Sequence, residues 1–262
     1  MNVINNDTNI NNDSLPVALI TGSARRIGAE IARHLHQADY QIIIHCNHSV
    51  KDAKALADEL NERRANSARV IQADLSSTEG CTSLIEAAIN PEGLFDGRVD
   101  ALINNASAFY PTKVSDVTDA DWQQLFNTNL KAPFTLAQQS TATLKQYQGS
   151  IINITDIHGE RPLKGYSVYS MTKAGLISMT HSLAKELAPE IRVNGVSPGA
   201  ILWPEADEAD GDGSDEKQLK VLAKIPLKRM GVPNNIAQSV LFLLANDYIT
   251  GQIISVDGGR SL

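Results

Sequence analysis

With 262 residues, 42% hydrophobic and 20% charged, the chain has enough apolar material for one large globular domain. A net charge of −7 argues against a nucleic-acid or anionic-membrane surface. No apolar run approaches the roughly twenty residues of a membrane span, and Cys46 and Cys81 stand in no metal-ligand spacing, reading as reduced thiols of a cytoplasmic protein.

The first fourteen residues, MNVINNDTNINNDS, lack the basic and apolar parts of a signal peptide and read as a disordered leader. Short apolar runs follow at 17–21, 41–45, 69–73, 101–104, 150–154, 192–196 and 252–256. Helical periodicity fills most gaps, at 27–37, 50–64, 80–89, 121–146, 168–188 and 234–245. Doubly apolar strands alternating with helices imply an α/β, doubly wound fold: a seven-stranded parallel sheet with helices on both faces. No composition break divides residues 15–262, so a single domain is expected.

The first strand runs into Thr21-Gly22-Ser23-Ala24-Arg25-Arg26-Ile27-Gly28, which opens a helix. Strand, glycine turn and helix N-terminus together cradle a pyrophosphate on free backbone amides. Gly22 allows the tight turn and Gly28 close helix–sheet packing. The second strand ends His45-Cys46-Asn47-His48-Ser49, where an NAD site would place an acid against the adenosine 2′-hydroxyl. The nearest downstream acid is Asp52, whereas Arg25, Arg26, His48 and Ser49 are cations and donors suited to a 2′-phosphate. NADP(H), used as NADPH, is the expected cofactor. Asp74-Leu75 and Asn104-Asn105-Ala106-Ser107 lie at the carboxyl ends of the third and fourth strands, where open α/β sheets bind ligands.

Downstream, NITDIHGERPLKGYSVYSMTK holds Tyr169 and Lys173 four residues apart and Asp156 thirteen before the tyrosine. On a helix, Tyr169 and Lys173 share one face a turn apart. A nearby ammonium is expected to lower the phenol's pKa from about 10 towards neutrality, making Tyr169 a proton donor to an atom next to one that accepts a hydride.

TGSARRIG, ADL, NNAS, YSMTK, RVNGVSPG and ITGQIISVDGG occur in the order and spacing of the short-chain dehydrogenases/reductases, which the chain resembles over nearly all of its length after residue 14. That resemblance implies a Rossmann-type fold and a homotetramer with VDGG near subunit contacts. It places Asp74-Leu75 at the adenine, and Gly22, Ile27, Gly28, Asn105, Ala106, Ser107, Pro198 and Gly199 around the cofactor. Lys173 is implied on the nicotinamide ribose, and Asn129 matches the asparagine that links the lysine to a water chain. Most members carry a serine thirteen residues before the tyrosine; this chain has Asp156, and an ionised carboxylate cannot donate to a ketone. Asp156, Arg26 in the glycine turn and NNASAFYP together resemble the pteridine reductases. The pterin site this implies draws on Arg26, Ser107, Phe109 as stacking ring, Asp156 and Tyr169. Asp156 would either hold or relay the Tyr169 proton, or pair with the pterin's donor-rich edge.

After the sixth strand, PEADEADGDGSDEK carries seven acids between Glu205 and Glu216, and a mobile lid is expected over about 200–220, with Trp203 either covering the pterin or packing the lid. Asp210-x-Asp212 is not a calcium loop, because Asp215 occupies the position that needs glycine, so no metal site is expected. The leading function is therefore reduction of an oxidised pterin or dihydropterin, with dihydrofolate included. Alternatives are a 3-oxoacyl or other ketone reductase, and a non-catalytic NADP(H)-binding sensor, which the Tyr169/Lys173 pair disfavours.

Overall fold

The computed structural model describes residues 15–202 and 214–262. Seven strands, β1 (Val17–Ile20), β2 (Gln41–Cys46), β3 (Ala68–Gln72), β4 (Ala101–Asn104), β5 (Ser150–Ile154), β6 (Arg192–Pro198) and β7 (Ile253–Val256), form one sheet. Its order is β3-β2-β1-β4-β5-β6-β7, and every pairing is parallel. The expected seven-stranded, doubly wound sheet is what forms.

β1, β4 and β5 are buried at every position, because both faces of the sheet are covered. On one side, α1 (Arg26–Gln37) and α2 (Val50–Arg63) pack with the helix Pro233–Ala245 around Ile20, Ile44, Ile103 and Val240. On the other, α3 (Thr78–Ala88), the long helix beginning with α4 (Asp119–Phe126) and continuing as α5 (Ala132–Gln146), and α6 (Ser167–Leu187) enclose Leu19, Leu84, Leu102, Leu136 and Leu183. α1 presents Gly28, Ala29, Ile31, Ala32 and Leu35 inward, the i, i+3, i+4 stripe an amphipathic helix needs. The expected 121–146 helix is interrupted by a π-helical turn at Asn127–Lys131, a distortion its continuous periodicity did not reveal.

The strand order reverses between β1 and β4. The turns leaving these two strands diverge there and open a crevice at the sheet's carboxyl edge.

Candidate active site

The β1–α1 turn is fixed from both flanks of that crevice. From β4, the Asn105 side chain donates to the carbonyls of Thr21 and Gly22 at 2.9 and 3.0 Å. The Thr21 hydroxyl accepts the amides of Asn105 and Ala106, both at 2.9 Å. Gly22 has φ +60° and a Cβ there would lie 2.9 Å from Ala106 Cα; on Gly28 it would lie 2.6 Å from the Gly22 oxygen. Neither position tolerates a side chain, which leaves the turn's backbone bare. α1 then starts with no side-chain cap and no acid in its first turn, so its leading amides and positive dipole end face the crevice unopposed. The groove of about 580 Å³ in front of them takes in Gly22, Arg25, Arg26, Ile27, Gly28, His48, Ser49, Asp74, Leu75, Asn105, Ala106 and Ser107, all of them expected from sequence. A bare glycine turn feeding an uncapped helix fits a dinucleotide pyrophosphate.

Arg26 adopts φ +55°, the left-handed conformation that favours glycine. Arg26 lies at the boundary of the groove and a second cavity and lines both. Arg25 Nε lies 3.7 Å from Asp52 Oδ2, a loose pair between two half-exposed side chains. Asp74 accepts from the Ser76 amide and from Asn47 at 2.9 and 3.2 Å, which holds its carboxyl below the usual range.

The second cavity, of about 500 Å³, holds Phe109, Asp156, Tyr169, Lys173, Pro198 and Gly199. Asp156 follows β5 and caps the short 3₁₀ turn Ile157–Gly159, its Oδ1 accepting the His158 amide at 2.8 Å. Its Oδ2 accepts the Tyr169 hydroxyl at 2.7 Å. Lys173, 3% exposed, donates to the Ile154 carbonyl at 2.9 Å. Burial drops the lysine to about 8, only partly opposed by the Asp156 charge. The expected lowering of the Tyr169 pKa is reversed: burial, then the Asp156 charge and hydrogen bond, push the phenol well above its ordinary value. Lys173 Nζ stands 5.8 Å from the tyrosine ring centroid and spends its hydrogen bond on the strand end. At neutral pH Tyr169 is therefore a firmly protonated donor whose partner is a carboxylate.

Asn129 is brought in by the π-helical turn, and its side chain is committed to the wall of the site. It accepts the Ala108 amide at 2.8 Å and the Ser107 hydroxyl at 3.2 Å, and donates to Ala108 O and to the Thr172 hydroxyl. None of these contacts reaches Lys173.

Phe109 is 45% exposed, with one face stacked on Tyr166 at 4.6 Å and its ring set edge-on to Tyr169 at 4.8 Å. Tyr166 was missed, although its spacing of three from Tyr169 places it on the same side of the helix start. His158, Leu163, Met230 and Arg260 also line this cavity, and none of them was among the expected site residues. Trp203 and the run 203–213 lie outside the described residues; Ser214–Ala223 forms a helix, where the sequence reading extended the lid to about 220. The Asp210-x-Asp212 pair lies outside the described residues too.

A pyrophosphate cradle at the switch point of a parallel sheet, facing a buried Tyr–Lys pair with a carboxylate on the phenol, defines an NAD(P)-dependent oxidoreductase. The chain belongs to the short-chain dehydrogenase/reductase family. Residues 22–261 match the family described as enoyl-(acyl carrier protein) reductase. It is 38% identical to pteridine reductase 1 of Leishmania tarentolae over 94% of this chain and 96% of that protein. It is also 39% identical to the 3-oxoacyl-[acyl-carrier-protein] reductase FabG of Aquifex aeolicus, over 93% of this chain and 96% of that one. A solved relative, a blue fluorescent protein from a metagenomic library in complex with NADPH, is 33% identical with a TM-score of 0.85, covering 95% of this chain and 99% of that one. Among the described residues no helix is long and apolar enough to cross a membrane.

Proposed function

We propose that the protein is an NADPH-dependent pteridine reductase acting on an oxidised pterin or dihydropterin, dihydrofolate included. Identities of 38% and 39% do not separate pterin from oxoacyl substrates, so the choice rests on the site. The observation that carries it is the Asp156 carboxylate bonded to Tyr169, in the position from which a ketone would need a hydroxyl donor. A pterin, with ring N–H and amino donors along one edge, suits an acceptor there. The exposed part of Phe109 offers a flat ring a stacking partner, worth about 1 kcal/mol beyond area burial.

NADPH, when bound, supplies the hydride. The amides at the start of α1 take its pyrophosphate, and Arg25, Arg26, His48 and Ser49 favour the 2′-phosphate. Buried Lys173 brings a positive charge and hydrogen-bond donors to the ribose end. Tyr169 delivers the proton to the ring nitrogen beside the reduced carbon. A phenolate left 2.7 Å from a carboxylate would be a like-charge pair. That state is avoided if Asp156 takes a proton from solvent and passes it to Tyr169 as Tyr169 gives its own to the substrate nitrogen. This leaves Asp156 ionised and Tyr169 protonated again, so Asp156 acts as relay as well as orienter.

The test is kcat/KM for a dihydropterin and an oxoacyl thioester, in wild type and in Asp156→Ser. The serine should cripple pterin turnover, about a hundredfold for an acid–base group, while thioester activity holds or rises. A wild type that prefers the thioester, or a serine variant with unchanged pterin turnover, makes this a general ketone reductase. We further propose a homotetramer that uses β7 and the helix Pro233–Ala245, where Phe242 is 49% exposed; light scattering reads its mass.

A further inference from the structure

The glycine turn has a third support that the cofactor motif does not include. His45, at the carboxyl end of β2 and 2% exposed, sits between the turn and the end of β3. Its Nε2 is 3.1 Å from the Ala73 carbonyl oxygen, and its Nδ1 is 3.0 Å from the Gly22 amide nitrogen. A carbonyl only accepts and an amide N–H only donates, so the two contacts fix the tautomer: Nε2 carries the hydrogen and Nδ1 is bare. The His45 carbonyl also accepts the Ser23 amide at 3.0 Å, so one residue holds two consecutive amides of the turn.

We propose that His45 is a positioning residue for cofactor binding: its unprotonated Nδ1, oriented through the Ala73 carbonyl, accepts the Gly22 N–H and keeps the phosphate-binding turn in shape. The inference rests on the reading that this groove takes NADP(H). A second proton on the ring would set an N–H against the Gly22 N–H. The turn is also tied to Asn105 through the Thr21 and Gly22 carbonyls, which limits how far it can shift away. Protonation therefore either breaks the Gly22 contact or deforms the cradle. The charged and titratable groups sharing the groove with His45 are Asp74 beyond β3, Arg25 and Arg26 at the start of α1, and His48 beyond β2. Asp74 and the Ala73 carbonyl favour the ring's charged form, but burial outweighs them and lowers its pKa. Cofactor affinity thus carries an acid-side limb set within the turn's own support.

Asn and Leu have branched side chains of one shape; Asn Oδ1 falls where Nδ1 stands and can accept from Gly22 without titrating, whereas Leu cannot accept. The experiment is calorimetric titration of NADP⁺ into the full-length wild type, His45→Asn and His45→Leu, from pH 8 to pH 5.5, with near-UV circular dichroism checking each fold. At pH 8, His45→Leu should weaken binding about tenfold, the scale of one buried hydrogen bond left unmade, with kcat at saturating NADPH held. His45→Asn should bind within about threefold of wild type and lose the part of the acid limb that His45 supplies. Titration of the cofactor's 2′-phosphate is common to all three proteins and cancels in the comparison. Leu binding as tightly as wild type, or Asn keeping the full acid limb, overturns the proposal. If the leucine variant does not fold, the wild-type and asparagine profiles still decide it. Wild type that binds NAD⁺ but not NADP⁺ overturns the NADP reading instead, and the same variants then test His45 with NAD⁺. Wild type that binds neither dinucleotide overturns both.

Discussion

Lys173→Met separates what the buried lysine does for the reaction from what it does to the fold. Its pKa falls from an ordinary 10.5 to about 8 because the ammonium is buried. Keeping it charged at pH 7 therefore costs on the order of 3 kcal/mol of stability. Methionine keeps an unbranched chain of similar volume and removes the charge. It also gives up the hydrogen bond to Ile154 O, worth about 1–2 kcal/mol for a charged donor. The net expectation is a variant about 1–2 kcal/mol more stable than wild type at pH 7. The pH dependence has a definite sign. Between 8 and 10.5 the unfolded lysine is protonated and the folded one is not, so wild-type stability climbs relative to the variant as pH rises through that window. Urea unfolding at pH 7 and pH 10, at one protein concentration, measures both stabilities. The advantage of Lys173→Met should close by pH 10, while its kcat is at least about a hundredfold down. A variant less stable than wild type at pH 7, or a gap unchanged at pH 10, would refute the burial argument.

Other changes follow from the same geometry. Tyr169→Phe keeps the ring against Phe109 and removes the acid, so kcat should fall by about 10²–10⁴ while calorimetry shows nearly unchanged NADP⁺ affinity. Arg26→Gly relieves a positive φ that costs about 1 kcal/mol or more, so the melting temperature should rise while steady-state kinetics show the NADPH-over-NADH preference shrinking about tenfold. The pH profile of kcat should fall on the alkaline side near pH 8 as Lys173 loses its charge, with no limb there from Tyr169, whose pKa is displaced upward; a profile flat to pH 10 would remove Lys173 as the electrostatic support.

The strands were legible to within one or two residues because the innermost ones are apolar runs buried at every position and even the partly covered edge strands β3 and β7 keep short β-branched runs, patterns that depend only on local sequence. The cofactor groove was legible for a related reason: its residues follow directly on the carboxyl ends of β1 to β4, so locating the strands locates them. The π-helical turn at Asn127–Lys131 left no such trace, since its extra residue is accommodated by tertiary contacts of Asn129 with Ala108 and Thr172. His45 looked like any strand residue until the topology set β1 beside β2 and gave its ring the Gly22 amide to hold. Met230 and Arg260 reach the cavity from parts of the chain remote from the tyrosine stretch, a convergence with no signature at fixed spacing.

The reversal at Tyr169 shows where spacing stops being informative. Four residues on a helix put Tyr169 and Lys173 on one face, but α6 fixes only their roots, and each polar end finds its own partner across the site. Lys173 reaches the last residue of β5, whose carbonyl is exposed by the end of the strand ladder. Tyr169 reaches Asp156 two residues further on, in the turn that Asp156 itself caps. The same short segment after β5 therefore receives both ends, and it draws the lysine's hydrogen bond away from the phenol. Serine at 156 would leave Tyr169 facing a neutral hydroxyl, and burial alone would raise its pKa. Aspartate adds a negative charge and an acceptor, both of which hold the proton on tyrosine and offer it a route back. That combination suits a substrate that needs a proton delivered to a basic ring nitrogen more than one that needs a carbonyl oxygen gripped by two donors. On the proposed reading, the identity of residue 156 sets the chemistry of the site, within a frame of β5 and α6 that would serve either reaction.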